Sequence, residues 1–243
     1  MFKRNNRSLT IFLSLFVITF LVLPFVSSCG KGGTLSPSAL NIQYQVVNAN
    51  PTLGSVDLYI HYTKVNSSSY FYPTASGYFY LNSIDTPFQI RNGTALTVGS
   101  IVPSSNIFVI PTIPKPGLKY TLMITGLVSV DTSYILTTDT ASTPTTGRGK
   151  VRFENASSGS PAFDVTANGT AAFTDVPYKA VSKYIELPAG NYDFQIFPTK
   201  TSTLLRDIPN VTIQDGRVYT LYCYGVAGRT DSLAFGSGFI TNQ

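Results

Sequence analysis

Few side chains in this sequence have the types and spacing that enzymatic chemistry requires. Histidine occurs once, at His61, and the sequence contains no Gly-x-Ser-x-Gly motif and no His/Cys cluster. The usual serine-nucleophile and zinc mechanisms are therefore not indicated. Asp175 and Glu186 could serve a glycosidase, which needs two carboxyl groups about 5–10 Å apart, but any chain with 12 acidic residues offers such pairs by chance. We expect no catalytic residue, no metal site and no cofactor.

Cys29 has the clearest chemical assignment. Three cations lie within residues 1–7, residues 9–26 are mostly apolar, and Ser27 and Ser28 precede the cysteine. This order is typical of a secretion signal, and residues 26–29 resemble the lipobox cut by the lipoprotein signal peptidase. Cys29 would then carry diacylglycerol, and two or three acyl chains such as palmitate hold a protein firmly on a membrane. The alternative is an uncleaved transmembrane helix, against which Pro24 and the Ser-Ser-Cys-Gly sequence argue.

Cys223 is the only other cysteine, so an acylated Cys29 leaves no intramolecular disulfide. It lies in the strand-like run 218–224, where a free cysteine usually acts as a small buried hydrophobe. A catalytic thiol would need a base nearby, and nothing in the sequence places His61 close to it. We interpret Cys223 as a structural core residue.

Two Asp residues occupy matching places, because Asp57 follows Asn48 by nine residues and Asp164 follows Asn155 by nine. Carboxylate and amide oxygens could bind Ca²⁺, but that ion usually takes about 6–8 oxygens, and neither region has the acidic cluster to supply them. We favour the alternative that these side chains cap the loop between two strands by hydrogen bonding to backbone amides.

The segment 70–80 is rich in aromatic residues and reads as a hairpin of two short strands around Pro-Thr-Ala-Ser-Gly. Side chains alternate across a strand, so Phe71 and Phe79 should face the core. Four tyrosines should then form an outward patch: Tyr70, Tyr72, Tyr78 and Tyr80. This patch could stack on a ligand. The alternative is that the tyrosines simply stabilise an exposed sheet by cross-strand contacts.

Two tripeptides resemble the Asp-Ser/Thr-apolar acceptor of general O-glycosylation in Bacteroidetes. They are Asp139-Thr140-Ala141 and Asp231-Ser232-Leu233. The modified residues would be Thr140 and Ser232, although motifs this short also arise by chance.

Composition favours a β-rich protein and gives no sign of a nucleic-acid binder. The chain is 43% hydrophobic and 12% charged, with 15 Tyr, 16 Phe, 19 Gly and 15 Pro, which favours strands and turns over helices. Its formal charge is +5, but three of the cations lie in the predicted signal. The near-neutral remainder has no electrostatic footprint for nucleic acid.

The chain also resembles itself. The Asn–Asp pattern described above recurs, and Gly117–Leu122 matches Gly216–Leu221, with a further Gly at the same distance in Gly126 and Gly225. Two matched blocks in the same order indicate a duplicated domain of about 100 residues. We assign residues 1–28 to the signal peptide, 29–39 to a lipidated tether, 40–137 to domain 1, 138–149 to a Ser/Thr/Pro/Gly linker and 150–243 to domain 2.

Each domain is predicted to be an antiparallel immunoglobulin-like β-sandwich. Alternating apolar residues mark strands near 150–154, 181–187 and 192–197, and turn signals separate them. Asp215-Gly216 is predicted to join 211–214 and 217–224 as a tight hairpin. The predicted fold class is all-β.

The second domain resembles the domain-of-unknown-function family 4397. Val151–Ser157 and Pro161–Val165 match its opening, and Asn168-Gly169-Thr170 and Leu187–Tyr192 match its continuation. The first domain matches this family pattern only at its two ends. The resemblance implies secreted or cell-envelope β-sandwich modules and implies no catalytic residues.

These features favour a non-enzymatic envelope lipoprotein that binds or scaffolds a glycan, peptidoglycan or a protein. A surface adhesin or fimbria-associated subunit is the alternative among binding proteins, and a carboxylate-dependent glycan-active enzyme is the alternative from another class. The membrane is the expected partner of the N-terminal lipid. Lys31 is the only charge just after Cys29, so an outer membrane lipoprotein facing the periplasm is favoured over one at the cell surface.

Cys29→Ala should abolish acylation and leave the precursor uncleaved, because the thiol is the group that takes up the lipid. Detergent phase partition measures this: the wild type should enter the detergent phase. The matched control is Cys223→Ala, which should partition like the wild type. A processed Cys29→Ala protein that partitions like the wild type would remove the lipoprotein assignment.

Overall fold

Strands make up nearly all the regular structure in the part of the chain that the computed structural model describes, residues 37–93, 105–128 and 130–242. A single 3-10 turn, Pro37–Leu40, is the one helical element among these residues. The all-β prediction is confirmed. The predicted signal peptide, Cys29 and the tether up to residue 36 lie outside the described residues.

The first half of the chain contributes nine described strands: β1 (Asn41–Asn48), β2 (Ser55–Ile60), β3 (Thr63–Lys64), β4 (Tyr70–Phe71), β5 (Phe79–Asn82), β6 (Phe88–Asn92), β7 (Asn106–Ile110), β8 (Lys119–Thr125) and β9 (Ser133–Thr138). They form two sheets, one with the order β5-β1-β8-β9 and one with the order β3-β2-β6-β7, in which β4 also pairs with β2.

The second half contributes eight described strands: β10 (Arg148–Asn155), β11 (Phe163–Ala167), β12 (Thr170–Val176), β13 (Ile185–Pro188), β14 (Gly190–Pro198), β15 (Arg206–Ile213), β16 (Val218–Tyr224) and β17 (Gly236–Thr241). Their two sheets have the orders β13-β10-β16-β17 and β12-β11-β14-β15.

The two halves have the same topology, as the predicted duplication requires. β1 runs parallel to β8 and β10 runs parallel to β16, while the other pairs of described strands are antiparallel. The registers place Gln43 opposite Lys119 and Lys150 opposite Val218, so Gln43 and Lys150 are equivalent positions. Each half is therefore a sandwich in which the first strand joins its sheet by a parallel pairing that the antiparallel prediction did not include.

One turn predicted as a hairpin is a crossover between sheets. β15 pairs with β14, whereas β16 pairs with β10 and β17. Gly216, with a φ of 73°, makes the turn, but the chain then enters the opposite sheet instead of folding back on its neighbour. The hairpin prediction is wrong, because an Asp-Gly pair specifies a sharp turn without specifying which strand the chain meets next.

Each half has its own apolar core between its two sheets. Tyr44, Leu58 and Phe88 are fully buried in the first, and Phe153, Phe163 and Phe194 are fully buried in the second. Burial of apolar side chains is the main favourable contribution to folding. The described strands pair only within their own half.

A third apolar cluster joins the halves: Val47, Ala49, Met123, Ile135, Ala156, Tyr222 and Ile240. Its members come from the sheets that contain β1 and β10, which we call the inner sheets. Because side chains alternate across a strand, Val46 of β1 faces the first core while Val47 faces the second half. The inner sheets are thus buried on both faces, and the halves stabilise one another.

The predicted linker takes part in this contact. Asp139 directly follows β9 and is fully buried, and Arg148, also placed in the linker, begins β10. The division into domain 1 (40–137), a linker (138–149) and domain 2 (150–243) stays a prediction.

Asp139 and Arg152 form a buried ion pair between the halves, with side chains 0% and 5% exposed. The Asp139 carboxylate also accepts hydrogen bonds from Thr121 Oγ1 at 2.7 Å and from Tyr78 OH at 2.8 Å. Arg152 also donates from Nε to Thr220 Oγ1 at 2.9 Å. Each charge therefore has several partners, which is the condition under which a buried pair is tolerated.

The equivalent positions carry neutral residues. Gln45 occupies the place of Arg152 in the register, and Asn242 occupies the place of Asp139. Asn242 Nδ2 donates to Tyr78 OH at 2.9 Å, so it joins the same network. The ion pair is a difference that arose between two otherwise similar halves.

Asp139→Asn should lower the free energy of unfolding by about 3–5 kcal/mol, because it leaves the Arg152 guanidinium buried without a counter-charge. Arg152→Gln should act similarly. The double variant carries the neutral residues of the equivalent positions and should recover most of the loss. Chemical denaturation of the four proteins gives the coupling energy.

The control pair is Lys150 and Glu186, a more exposed ion pair at 3.6 Å that also involves β10. Lys150→Gln and Glu186→Gln should show a much smaller coupling energy, because solvent screens an exposed ion pair. The buried pair would lose its assigned role if its coupling were no larger than that of this control.

Candidate functional site

The predicted aromatic hairpin is divided between two sheets. β4 pairs with β2, and β5 pairs with β1 of the inner sheet. Phe71 is 59% exposed, whereas Phe79 packs against the first core. The hairpin prediction is wrong, because the chain between β4 and β5 crosses from one sheet to the other.

The four tyrosines do not share an outward face, so that prediction is also wrong. Tyr70 packs against the first core. Tyr72 meets the ring of Tyr224 edge-on, with centroids 5.5 Å apart, and Tyr78 belongs to the Asp139 network between the halves. Tyr80 is 70% exposed. Substitution of Tyr72 or Tyr78 would therefore weaken the contact between the halves.

Tyr70 lines a surface groove that the sequence did not indicate. The groove has a volume of about 440 Å³ and lies between the loop 65–69 and the connection 74–79. We call it the serine-lined groove, after its lining residues: Val65, Asn66, Ser67, Ser68, Ser69, Tyr70, Thr74, Ser76 and Phe79. None of these side chains carries a charge. Hydroxyls, an amide and two aromatic rings are what such a groove offers a ligand.

One wall of the groove is held by Asp57. Its carboxylate accepts hydrogen bonds from Asn66 Nδ2 at 2.8 Å and from Lys64 Nζ at 2.9 Å. Asn66 in turn accepts from the backbone N–H of Leu58 at 2.8 Å. Burial acts to raise the pKa of Asp57, but hydrogen bonds from Lys64, Ser69 and Asn66 outweigh burial and hold the pKa below its usual value.

The other wall is tied to the inner sheet. Ser76 Oγ accepts from the backbone N–H of Val46 at 2.9 Å and donates to the carbonyl of Gly77 at 2.8 Å. By contrast, within the described residues the hydroxyls of Ser67 and Ser68 have no hydrogen-bond partner, and both residues are exposed. These two hydroxyls are free to donate to and accept from a ligand.

The two matched Asn residues cap the loop between the first two strands of their half, as predicted, whereas Asp57 and Asp164 bond to groups outside that loop. Asn48 Oδ1 accepts from the backbone N–H of Asn50 at 3.2 Å, and Asn155 Oδ1 accepts from that of Ser157 at 3.0 Å, so both cap the loop after the first strand of their half.

Asp164 accepts from the backbone N–H groups of Asp175 at 2.7 Å and Lys200 at 3.1 Å. Hydrogen bonds from these amides hold the pKa of Asp164 below its usual value. In the described part of the chain, His, Cys, Asp and Glu form no group that could hold a metal ion.

The remaining candidate residues are placed as follows. Cys223 is fully buried in the second core, and burial raises the pKa of its thiol, as expected of a structural cysteine. His61 lies in the exposed turn between β2 and β3. Asp175 is on β12 and Glu186 is on β13, in different sheets.

Thr140 and Ser232 are both exposed. The two motifs differ in the acidic residue: Asp139 is buried in the ion pair, whereas Asp231 is about half exposed and pairs with Arg229. The motif at Ser232 is the more accessible of the two. Glycosylation at either residue stays a prediction.

No helix in the described ranges is long and apolar enough to cross a membrane. That finding concerns residues 37–93, 105–128 and 130–242 alone.

Comparisons with solved structures found distant similarities. The C-terminal domain of AlgF from P. aeruginosa is 19% identical over 39% of this chain and 98% of that chain, with a TM-score of 0.29. The Bacillus anthracis TIE protein is 11% identical over 83% of this chain and 43% of that chain, with a TM-score of 0.23. These scores support no inference about activity. A comparison with curated proteins found no match.

A family model gives a clear result. The model described as "Domain of unknown function (DUF4397)" matches residues 43–165 and 149–236. The resemblance noted in the second half is confirmed, and the first match lies largely in the first half. Since the matched segments span most of the chain, and the two halves share one topology, this protein belongs to the DUF4397 family.

Proposed function

We propose that this protein is a non-enzymatic binding module of the cell envelope that contacts a neutral glycan through the serine-lined groove. The observation that carries the proposal is the lining itself: exposed hydroxyls and two aromatic side chains, with no charged group among them. A sugar presents the same combination of hydroxyls and apolar ring faces. Binding sites commonly combine apolar and aromatic walls with a few polar groups that fix orientation.

The rigidity of the groove supports this function. One wall is bonded to Asp57 and Asn66 of the first sandwich, and the other is bonded to β1 through Ser76. A site whose walls are already ordered loses less entropy when a ligand binds. Tyr70 and Phe79 pack against the first core, which fixes their rings in the groove.

We propose that a lipid on Cys29 anchors the protein to the outer membrane, facing the periplasm. Glycan strands of peptidoglycan would be within reach there, and another envelope protein is the second class of partner. Protease treatment of intact cells tests the orientation, because a periplasmic protein should resist digestion until the outer membrane is opened.

A surface adhesin or fimbria-associated subunit is the second candidate. β12 and β13 are edge strands of the second half, and an edge strand can pair with a strand of a partner. Digestion of the protein on intact cells, together with no glycan binding, would favour this candidate.

The double substitution Ser67→Ala and Ser68→Ala should weaken glycan binding about tenfold, because two hydrogen bonds worth about 0.5–1.5 kcal/mol each are lost. Binding is measured on an array of neutral and acidic oligosaccharides and on insoluble peptidoglycan. The melting temperature should be unchanged, since both hydroxyls are exposed.

The control is Tyr80→Ser, which removes an exposed aromatic ring outside the groove and should bind like the wild type. Equal losses in both variants would place the site elsewhere. Release of shortened oligosaccharides by the wild type would instead favour the enzyme alternative.

A further inference from the structure

One buried carboxyl group between the halves has no role in the contacts described above. Glu154 lies on β10, is 0% exposed, and neither of its carboxyl oxygens has a hydrogen-bond partner among the described residues. An ionised carboxylate in such a place would be costly, since burying a charge without a partner is strongly unfavourable. Neutral Glu154 is the form that fits this interface.

The fold itself does not require a carboxyl group at this position. The registers place Glu154 opposite Tyr222 and Val47 opposite Met123, so Val47 is the equivalent residue of the first half. Val47 is fully buried in the cluster between the halves. An apolar side chain therefore satisfies the same place, and the acidic group in the second half is an additional feature.

We propose that Glu154 makes the contact between the two halves sensitive to pH. While the carboxyl group is protonated the inner sheets stay packed, and when it ionises the charge draws water into the interface and loosens it. Two neighbours support the entry of water when Glu154 ionises. Tyr222 lies in the apolar cluster between the halves. The buried side chain of Gln45 has an Oε1 atom that also lacks a partner within the described residues.

Five ionisable side chains interact electrostatically with Glu154: Arg152, Tyr184, Tyr222 and Cys223 from the second half, and Asp139. Two more ionisable side chains of the first half bond to neighbours in the same interface, Tyr78 to Asp139 and Lys119 to Asn242. Burial raises the pKa of Tyr184 and of Tyr222 to about 12, and it raises the pKa of Tyr78 and of Cys223 as well. These tyrosines and the thiol therefore stay neutral up to about pH 9.

Glu154 titrates below that limit. Burial raises its pKa to about 8, while the Arg152 guanidinium acts to lower it and the Asp139 carboxylate acts to raise it. In an unfolded chain the pKa of Glu is about 4.3. The folded state holds the proton more tightly, so the contribution of Glu154 to stability is complete below about pH 4 and is lost as the pH rises to about 8.

The interface is also connected to the groove. Tyr78 donates to Asp139 at 2.8 Å, and its chain neighbour Phe79 lines the groove, as Ser76 does. Loosening of the inner sheets would therefore reach the connection 74–79. This effect does not depend on whether the groove binds a glycan.

Hydrogen–deuterium exchange of the full chain in detergent micelles tests the proposal, with the wild type compared with Glu154→Gln at the same pH. At pH 9, peptides from β1, β8, β10 and β16 and from residues 74–79 should exchange about tenfold faster in the wild type than in the variant. At pH 4 the two proteins should match, because Glu154 is then largely protonated in the open state as well as in the packed state. Peptides from β6 and β14, on the sheets that face away from the interface, should not differ at either pH.

The control is Glu186→Gln, which removes a more exposed carboxyl group on β13 of the same inner sheet and should behave like the wild type. If Glu154→Gln does not fold, Glu154→Leu provides the same uncharged comparison. Equal exchange of the wild type and the uncharged variants at pH 9 would overturn the proposal. So would faster exchange that extends equally to β6 and β14, because that result would mean general unfolding.

Discussion

Contact between the two inner sheets is the constraint on which the rest of this structure depends. Each inner sheet is covered on one face by its own sandwich core and on the other face by the opposite half. Every residue of β8 after Lys119 is consequently buried. Polar side chains on these strands must then find partners inside the protein, and the Asp139–Arg152 pair provides them for Thr121, Thr137 and Thr220.

Close packing at this contact explains two glycines near the C-terminus. A Cβ atom on Gly238 would lie 2.2 Å from Tyr222 Cζ, and one on Gly236 would lie 2.4 Å from Tyr224 Cε2. Both rings therefore lie across β17 where side chains are missing. Tyr222 joins the cluster between the halves, and Tyr224 packs against it and meets Tyr72 of the first half. The two glycines of β17 thus leave room for the rings that contact the other half.

The two halves keep one scaffold and differ where they meet. Their loops are capped by the equivalent Asn48 and Asn155, and their sheets have equivalent strand orders. At the interface, in contrast, Gln45 corresponds to Arg152, Val47 to Glu154 and Asn242 to Asp139. An interface between identical halves would place equal charges in both copies. Divergence instead allowed one cation to meet one anion and left one carboxyl group without a partner.

The sequence by itself determined the all-β class, the duplication, the structural role of Cys223 and the loop caps at Asn48 and Asn155, because alternation, turn residues and spacing are local properties. Only the tertiary structure decided which sheet each strand joins. The Asp215-Gly216 turn and the segment 70–80 were both predicted as hairpins, yet each crosses between sheets. The serine-lined groove and the burial of Asp139 and Glu154 likewise depend on residues far apart in the chain, which no local pattern brings together.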